Sequence, residues 1–435
     1  MSSKSELAGS ADVDSFLSEI ERFPIDRTSI LQDKLNLVNR NRTSLFPWRG
    51  QFSPELIELL LSYYANPNST VLDPFVGSGT TLFEAARKSL SCYGAEIIPA
   101  AVEMSRTVHF ANLSVQQRVK YIQQARSIIG NHLPGYTTLF PIEKQTNKTK
   151  LSIEEAIRKM LNEASKDQLL HNILINAVMG YMNAGKSKKP NDLLDAYHKH
   201  VNIILSLPFT PRTCRVYHCD ARQLPIKSAT VDLIITSPPY INVFNYHQNH
   251  RKAMELADWD LLEVAKSEIG SNRKNRGNRF LTVIQYAMDM LQALCEMRRV
   301  IRPNGRIIVV IGRESTIRGI RFKNYSILSA LAVGGAGMKL ICRQERKFVT
   351  RYGEAIYEDL LHFVPTEERP SPAEDFAREI ALHSLKSAMG QKTSDDIHRN
   401  IASAIANART VMPSPLFKLE NLKPQIYRGC DNESF

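Results

Sequence analysis

Hydrophobic and polar positions along the chain follow two kinds of pattern. Short apolar runs at 70–72 and 231–236 are typical of buried strands, whereas apolar residues at three- and four-residue spacing over 81–90 and 282–300 predict helices. From about 71 to 98 the order is strand, glycine turn, helix and strand. Because this order is typical of βαβ units, it predicts an α/β fold with a parallel sheet and helices on its faces.

The β/α order stops and later resumes, which predicts the domain organisation. Mainly helical patterns fill the middle of the chain, and strand patterns return at "RVYHCDARQLP" and "VDLIITSPPY". The first strand is preceded by "FSPELIELL", in which serine, proline and glutamate are typical of a helix start. We predict an N-terminal lead-in, a divided catalytic domain, a helical insertion that is a candidate for target recognition, and a C-terminal helical extension, with the bounds 1–45, 46–100 plus 211–365, 101–210 and 366–435.

Composition narrows the class of protein. The chain has 435 residues, 43% of them hydrophobic, yet no apolar run of about 20 residues that would predict a membrane span. The first residues lack the apolar core of a secretory signal, and the six cysteines are scattered without a CxxC pair. These features predict a cytoplasmic protein with reduced thiols. The net charge of +12 favours a polyanionic partner, nucleic acid before membrane, although a basic protein without such a partner is about as compatible with charge alone.

A glycine-containing turn marks the first candidate site. In "VLDPFVGSGTTLFEA", Asp73 ends a strand, and Gly77 and Gly79 lie in the turn before a helix. Glycines allow positive φ and close approach of a ligand to the backbone. The dinucleotide-binding pattern would need glycine where Leu82 stands, and Asp73 would repel a pyrophosphate but attract an ammonium group.

Two further acids end neighbouring strand patterns. Glu96 follows "YGA" and Asp220 follows "RVYHC". Ligands of open α/β sheets lie beyond the carboxyl ends of the strands, where Glu96 could accept both hydroxyls of a ribose and Asp220 an adenine amino group. Each acid alone is more typical of a turn or cap, but an ammonium group, a ribose and an adenine together describe S-adenosylmethionine.

The segment "TSPPY" marks the second candidate site. Two prolines fix an extended path and free carbonyls from the strand ladder, so the carbonyl of Pro238 and the hydroxyl of Ser237 could converge on one exocyclic NH₂ group. Tyr240 could then stack on the base that carries this amine. A rigid turn is the alternative interpretation. Two acceptors would draw the delocalised nitrogen lone pair towards tetrahedral geometry, and the base would have to leave the duplex to reach them.

"DPFVGSGTT" and "TSPPY" together resemble the cofactor and catalytic motifs of the amino-methyltransferases of DNA, which act on cytosine N4 or adenine N6. "FPWRGQFSPELIELL" resembles the motif that this family places beside the methionine part of the cofactor. The resemblance implies a Rossmann-like, mostly parallel sheet of seven strands that binds S-adenosylmethionine. It implies a cofactor pocket containing Trp48, Phe52, Asp73, Pro74, Phe75, Gly77, Gly79, Thr80, Glu96, Asp220 and Ala221, and a target-base site containing Ser237, Pro238, Pro239 and Tyr240.

Serine at 237 favours cytosine N4, since the adenine enzymes usually carry Asp or Asn there. The order of the motifs, with the cofactor motif first, is the reverse of the arrangement common among cytosine-N4 members. An adenine-N6 enzyme, an RNA amino-methyltransferase and a catalytically silent DNA-binding protein remain alternatives. The family resemblance also suggests a sequence-specific enzyme on double-stranded DNA, paired with a restriction endonuclease that acts separately.

The densest basic loop follows the catalytic segment. Arg273, Lys274, Arg276 and Arg279 are interleaved with Ser, Asn and Gly, which predicts contacts to phosphates and base edges, although a solvated loop is an equal alternative. Asn242, Asn245, Tyr246 and His247 are weaker candidates for the pocket or the path of the base. The paired histidines of "YHKH" and "YHQNH" lack further ligands at metal-binding spacing, so we expect no metal.

Overall fold

The computed structural model describes residues 10–38, 41–133, 152–183, 189–241, 246–270, 277–349, 353–368 and 373–419. Its strands are β1 (Thr70–Asp73), β2 (Ser91–Glu96), β3 (Cys214–His218), β4 (Val231–Thr236), β5 (Ile301–Gly312), β6 (Glu314–Ile317), β7 (Ile320–Lys323), β8 (Met338–Val349) and β9 (Ala355–Pro365).

The α-helices of these residues fall before, between and after the strands. They are α1 (Ser10–Glu21), α2 (Gln32–Asn36), α3 (Pro54–Tyr64), α4 (Thr80–Arg87), α5 (Pro99–Arg106), α6 (Val115–His132), α7 (Ile153–Glu163), α8 (Gln168–Asn183), α9 (Pro190–Ser206), α10 (Arg251–Leu256), α11 (Leu261–Ser267), α12 (Leu281–Val300), α13 (Asn324–Ala330), α14 (Glu374–Ala388) and α15 (Asp395–Ala406).

Seven of the strands form one sheet in the order β3-β2-β1-β4-β5-β9-β8. The first five pair in parallel, and β9 runs antiparallel to both β5 and β8. This arrangement confirms the predicted fold class. The strands β6 and β7 form a separate antiparallel hairpin that the sequence patterns did not predict.

Alternate residues of the central strands enter two different cores. On β5, Ile308 and Val310 belong to a core on one face of the sheet, while Ile307, Val309 and Ile311 belong to a core on the other. This is the expected result of the two-residue period of a strand whose two faces are both buried. Helices therefore cover both faces of the sheet, and the functional groups are left at its edges.

The helices between β2 and β3 share the core of the first face. Leu174 on α8 and Val71 on β1 lie in the same buried cluster, so the segment predicted as an insertion is packed onto the sheet. A capping box at the start of α7, in which Ser152 and Glu155 bond each other's backbone N–H groups, fixes where that helix begins. Within the described ranges, no helix has the length and apolar character that a membrane span requires.

Candidate active site

A cavity opens beyond the carboxyl ends of β1 to β4, where open parallel sheets bind ligands. It encloses about 840 Å³, part of which is open to solvent. Residues from both predicted motifs meet there, so segments far apart in sequence form one site. Those lining it are Trp48, Phe52, Asp73, Pro74, Phe75, Gly77, Thr80, Glu96, Asp220, Ala221, Ser237 and Pro239.

Gly79 lies next to this cavity and does not line it. Its φ of +95° places it in the left-handed region, immediately before α4. A Cβ at this position would lie 2.9 Å from the Cα of Ser105, so the missing side chain lets α4 pack closely against α5. The structure therefore explains this glycine by backbone conformation and helix packing.

Asp73 connects the two motifs. The Thr236 hydroxyl donates to its Oδ1 at 2.6 Å and the Thr81 hydroxyl to its Oδ2 at 2.7 Å. The backbone N–H of Phe75 also donates to Oδ1, at 3.1 Å. Burial raises the pKa of Asp73 to about 6, even though all three hydrogen bonds act to lower it. Since Oδ2 accepts only one of these bonds, it retains capacity for a donor in the cavity.

Glu96 ends β2 and is half-buried. Its Oε1 accepts from the backbone N–H groups of Ile97 and Ile98, both at 2.9 Å, and its Oε2 accepts from that of Gly77 at 3.1 Å. Burial raises the pKa of Glu96 to about 7, outweighing these bonds, and the nearby Asp73 carboxyl adds to the rise. The carboxylate is thus oriented by backbone donors, with capacity on Oε2 for one more hydrogen bond.

Asp220 has a different environment from the other two acids. It accepts from the backbone and guanidinium N–H groups of Arg222 at 2.7 to 3.0 Å, and from the backbone N–H of Phe417 at 2.9 Å. These four bonds occupy the four acceptor positions of a carboxylate, so none is left for the adenine amine that we predicted as its partner. The carboxylate lines the cavity as a fixed group.

Arg222 joins this acid to the C-terminal segment. Its guanidinium also donates to Asp289 at 3.0 Å and to the carbonyls of Ser414 and Pro415 at 2.8 and 2.9 Å. The Ser414 hydroxyl donates to Asp289 at 2.6 Å. The segment around Ser414 is about 190 residues beyond Asp220 in sequence. No local sequence pattern indicated that these two segments would be in contact.

The segment Ser237 to Tyr240 follows β4 at the centre of the sheet. Ser237 is half-buried and Pro238 is buried. The Tyr240 ring lies against Gly312 at the end of β5, where a Cβ would be only 2.9 Å from the ring carbon Cε2. Burial raises the pKa of the Tyr240 hydroxyl, which lies beside the Ser237 side chain and near the negative charge of Glu358.

A second cleft lies on the other side of Ser237. It encloses about 1290 Å³, including space open to solvent, and is lined by Arg346, Phe348 and Glu358 among others. Ser237 and the stretch 50–52 line both the first cavity, called the strand-end cavity below, and this cleft. These residues therefore form a shared boundary, called the wall below, at which the two spaces adjoin, so that a molecule bound in one space would lie next to a molecule bound in the other.

Several lining residues were missed or only weakly indicated by sequence. The Tyr246 ring stacks parallel to that of Trp48, with centroids 6.3 Å apart. Glu268 also lines the cavity and accepts from the His247 backbone N–H at 2.7 Å. Glu268 immediately precedes the basic loop in sequence. The acid in "KSEIG", after a short apolar helix pattern, was the available signal.

Several predicted residues fall outside the described part of the chain. They are Asn242, Asn245, Arg273, Lys274 and Arg276. Arg279, the remaining member of the predicted basic group, is exposed two residues before α12. The predicted DNA-contacting role of all four basic residues remains a prediction.

Residues 26–107 match the N6/N4 methyltransferase family, described as a DNA methylase. The predicted resemblance to DNA amino-methyltransferases is confirmed. The match covers the stretch that contains Trp48, Asp73 and Glu96, and it does not separate the N4 class from the N6 class. The same resemblance implies S-adenosylmethionine as the methyl donor.

Two relatives extend the similarity. The chain is 23% identical over 340 residues to the type II methyltransferase M.AvaI of Nostoc sp., which covers 64% of this chain and 70% of that protein. It is 36% identical over 55 residues to the type II methyltransferase M.MjaII of Methanocaldococcus jannaschii, covering 13% and 10% of the two chains. A solved S-adenosylmethionine-dependent methyltransferase of Methanosarcina mazei aligns with 71% of this chain and 98% of its own, at 11% identity and a TM-score of 0.32.

Proposed function

We propose that this protein is a DNA methyltransferase that transfers a methyl group from S-adenosylmethionine to the exocyclic N4 amine of a cytosine turned out of the duplex. The observation that carries the proposal is the position of Ser237 in the wall between the strand-end cavity and the second cleft. A methyl donor on one side and a base on the other would both reach this residue. The relatives named type II methyltransferases support DNA as the substrate.

The lining of the first cavity fits the proposed cofactor. Asp73 Oδ2 has capacity for the ammonium group and Glu96 Oε2 for one ribose hydroxyl, while Trp48 and Phe75 provide apolar surface. Asp220, fixed by Arg222, closes the side where the adenine would lie, next to Ala221. When bound, S-adenosylmethionine supplies an electrophilic methyl group on a sulfonium.

Ser237 and the residues that follow it orient the target amine for methyl transfer. Ser237 Oγ and the Pro238 carbonyl accept its two hydrogens, so the nitrogen lone pair turns away from the base ring and becomes available for bonding. Prolines at 238 and 239 fix the backbone path that holds these acceptors. Tyr240 provides the flat surface for the base, and its own position is fixed by contact with Gly312.

The enzyme would serve as the sequence-specific modification partner of a restriction endonuclease in the cytoplasm. The names of the relatives support this setting. Sequence recognition is assigned to the helices between β2 and β3 or to the residues after β9, with Arg279 and its basic neighbours on the phosphates.

The test is identification of the product. The protein is incubated with tritiated S-adenosylmethionine and unmethylated plasmid, and the DNA is digested to nucleosides and examined by mass spectrometry. We expect N4-methyldeoxycytidine. Label on adenine would overturn the choice of base, and label on added RNA but not on plasmid would overturn the class of substrate.

A further inference from the structure

Glu358 and Arg346, which line the second cleft, belong to a lateral row of residues across three strands. Gly312 on β5 is in register with Glu358 on β9, and Glu358 is in register with Arg346 on β8. Residues in register across a sheet project from the same face. Because the Tyr240 ring lies where a Cβ of Gly312 would point, the ring, Glu358 and Arg346 follow one another along this face.

Two charged side chains of this row line the cleft. Arg346 Nε lies 3.5 Å from Glu358 Oε2, and their side chains are 8% and 20% exposed. The Arg346 guanidinium is also 5.1 Å from the centroid of the Phe348 ring. The cleft therefore has a cation held by Glu358, two strands across the sheet from the tyrosine on which a base would stack.

A neighbouring ion pair provides a contrast. Arg343 Nε bonds Asp359 at 2.9 Å, Asp359 also accepts from Arg313 Nε at 3.0 Å, and the Arg343 guanidinium lies 3.7 Å from the centroid of the Tyr325 ring. Arg343 and Asp359 are buried, and neither they nor Arg313 lines the cleft. The contacts of Arg343 indicate a structural role, whereas Arg346 lines the cleft in which a ligand would bind.

We infer that Arg346, held by Glu358, reads the Watson–Crick edge of the target base and selects cytosine over adenine. The inference rests on the proposed function. With the amine at Ser237 and the ring against Tyr240, the edge beside the amine would face this row. Cytosine carries two adjacent acceptors there, N3 and O2, which match the parallel donors of a guanidinium. Adenine carries one acceptor, N1, followed by a C–H group.

The test couples one protein group to one substrate atom. The substrate is a duplex oligonucleotide carrying the site mapped on methylated plasmid, with its target either cytosine or 3-deazacytosine, which keeps the amine and O2 but replaces N3 by C–H. We expect kcat/KM of the unaltered enzyme to fall about 10-fold on the 3-deaza duplex, as for loss of a base-edge contact. Arg346→Ala should lower kcat/KM on cytosine and show little further loss on 3-deazacytosine.

Three controls separate the possible causes. Lys339→Ala removes an exposed cation from β8, about 23 Å along the strand from Arg346, and should show the full 3-deaza effect. Arg346→Lys keeps the charge without the planar fork and should recover only part of the loss. Retained affinity for S-adenosylmethionine and a single cooperative unfolding transition would show that Arg346→Ala is folded.

The outcomes are distinct. Equal fold losses on 3-deazacytosine for the unaltered enzyme and Arg346→Ala would overturn the inference, because the guanidinium would then not contact N3. Methylation of adenine, or of no DNA base, by the unaltered enzyme would instead overturn the proposed function, and this result appears before any variant is compared.

Discussion

The strand-end cavity and the second cleft share a wall but differ in how they are built. Three acids of the cavity stand at the ends of successive strands, and two of them, Asp73 and Glu96, accept from the Thr81 hydroxyl and the Gly77 N–H of the turn after β1. The cleft takes its charged groups from β8 and β9, more than 100 residues beyond Ser237 in sequence. In the proposed assignment, the cofactor site is encoded largely by local turns, whereas the base site depends on lateral register in the finished sheet.

The two sides also differ in electrostatics. Asp73 and Glu96 have raised pKa values because burial outweighs their neutral donors. In the cleft, burial also raises the pKa of the partly exposed Glu358, but there the cation of Arg346, a charged partner, opposes the rise. Substitutions on the two sides should therefore have different consequences.

The largest expected effect is a loss of stability when Arg222, which holds Asp220 of the cavity lining, is replaced. Arg222→Ala leaves Asp220 and Asp289 buried without their shared cation, so we expect a loss of about 3 to 5 kcal/mol in the free energy of unfolding. Arg346→Ala, on the cleft side, should cost only about 1 to 2 kcal/mol because its ion pair with Glu358 is long, at 3.5 Å, and leaves behind a carboxylate that is partly exposed. Urea unfolding measures both, and similar losses for the two variants would remove this distinction.

The next effect separates turnover from cofactor binding. Tyr240→Ala removes the stacking surface for the base and should lower kcat/KM for DNA by about 10- to 100-fold. Affinity for S-adenosylmethionine, measured by calorimetry, should change less than about 2-fold, since Tyr240 does not line the strand-end cavity. Tyr240→Phe keeps the ring and serves as the control. Parallel loss of turnover and cofactor affinity in Tyr240→Ala would contradict the assignment of the two sides.

A smaller effect is expected in the pH dependence of cofactor binding. The pKa of Glu96 is about 7, so its carboxylate gains a proton as pH falls from 8 to 6 and becomes a weaker acceptor for a ribose hydroxyl. Affinity for S-adenosylmethionine should fall by about 10-fold over this interval. Glu96→Gln should bind weakly, and the part of the pH dependence due to Glu96 should disappear. An unchanged pH profile in this variant would exclude Glu96 as the titrating group.

The same shift has a consequence for the protein without cofactor. Because the pKa of Glu96 in the folded state lies above its ordinary value of 4.5, its contribution to stability is complete below pH 4.5 and is lost as pH rises through about 7. Glu96→Gln should therefore be more stable than the unaltered protein at pH 8, by on the order of 1 kcal/mol. No such gain is expected at pH 4, and thermal unfolding at the two pH values makes the comparison.

The smallest expected effect is a loss of DNA affinity when Arg279, which lines neither cavity, is replaced. Arg279→Glu should weaken binding to plasmid DNA a few-fold and lower the slope of log K against log salt by about 1. Arg318→Glu, a charge reversal at another exposed arginine, is the matched control. A salt slope that is the same in Arg279→Glu and the unaltered protein would leave Arg279 without a role in DNA binding.

Much of the cofactor side could be predicted from sequence because its determinants are local. The acid at the end of β1, the glycines of the following turn and the start of α4 lie within eight consecutive residues, from Asp73 to Thr80. The observed strands and helices of this region lie close to the predicted ones. The link that could not be predicted is the Thr236–Asp73 hydrogen bond, since it needs β4 to pair beside β1.

The remaining parts of the site depend on long-range packing. The C-terminal residues from Ser414 to Phe417 lie beside Asp220 through contacts that also need Asp289 on α12 to lie beside Arg222. The row from Gly312 to Arg346 exists only in the observed register of β5, β9 and β8. Neither contact has a periodicity or spacing that the sequence could reveal, because the interacting residues lie in segments that meet only in the folded state.

The central claim is that Ser237 accepts a hydrogen of the target amine from its position between the two cavities. The most direct measurement is the single-turnover rate of methyl transfer by Ser237→Ala, with DNA and S-adenosylmethionine both saturating. Loss of one acceptor should slow this step about 10-fold while the dissociation constants of both molecules stay within about 2-fold. A single-turnover rate equal to that of the unaltered enzyme would contradict the claim.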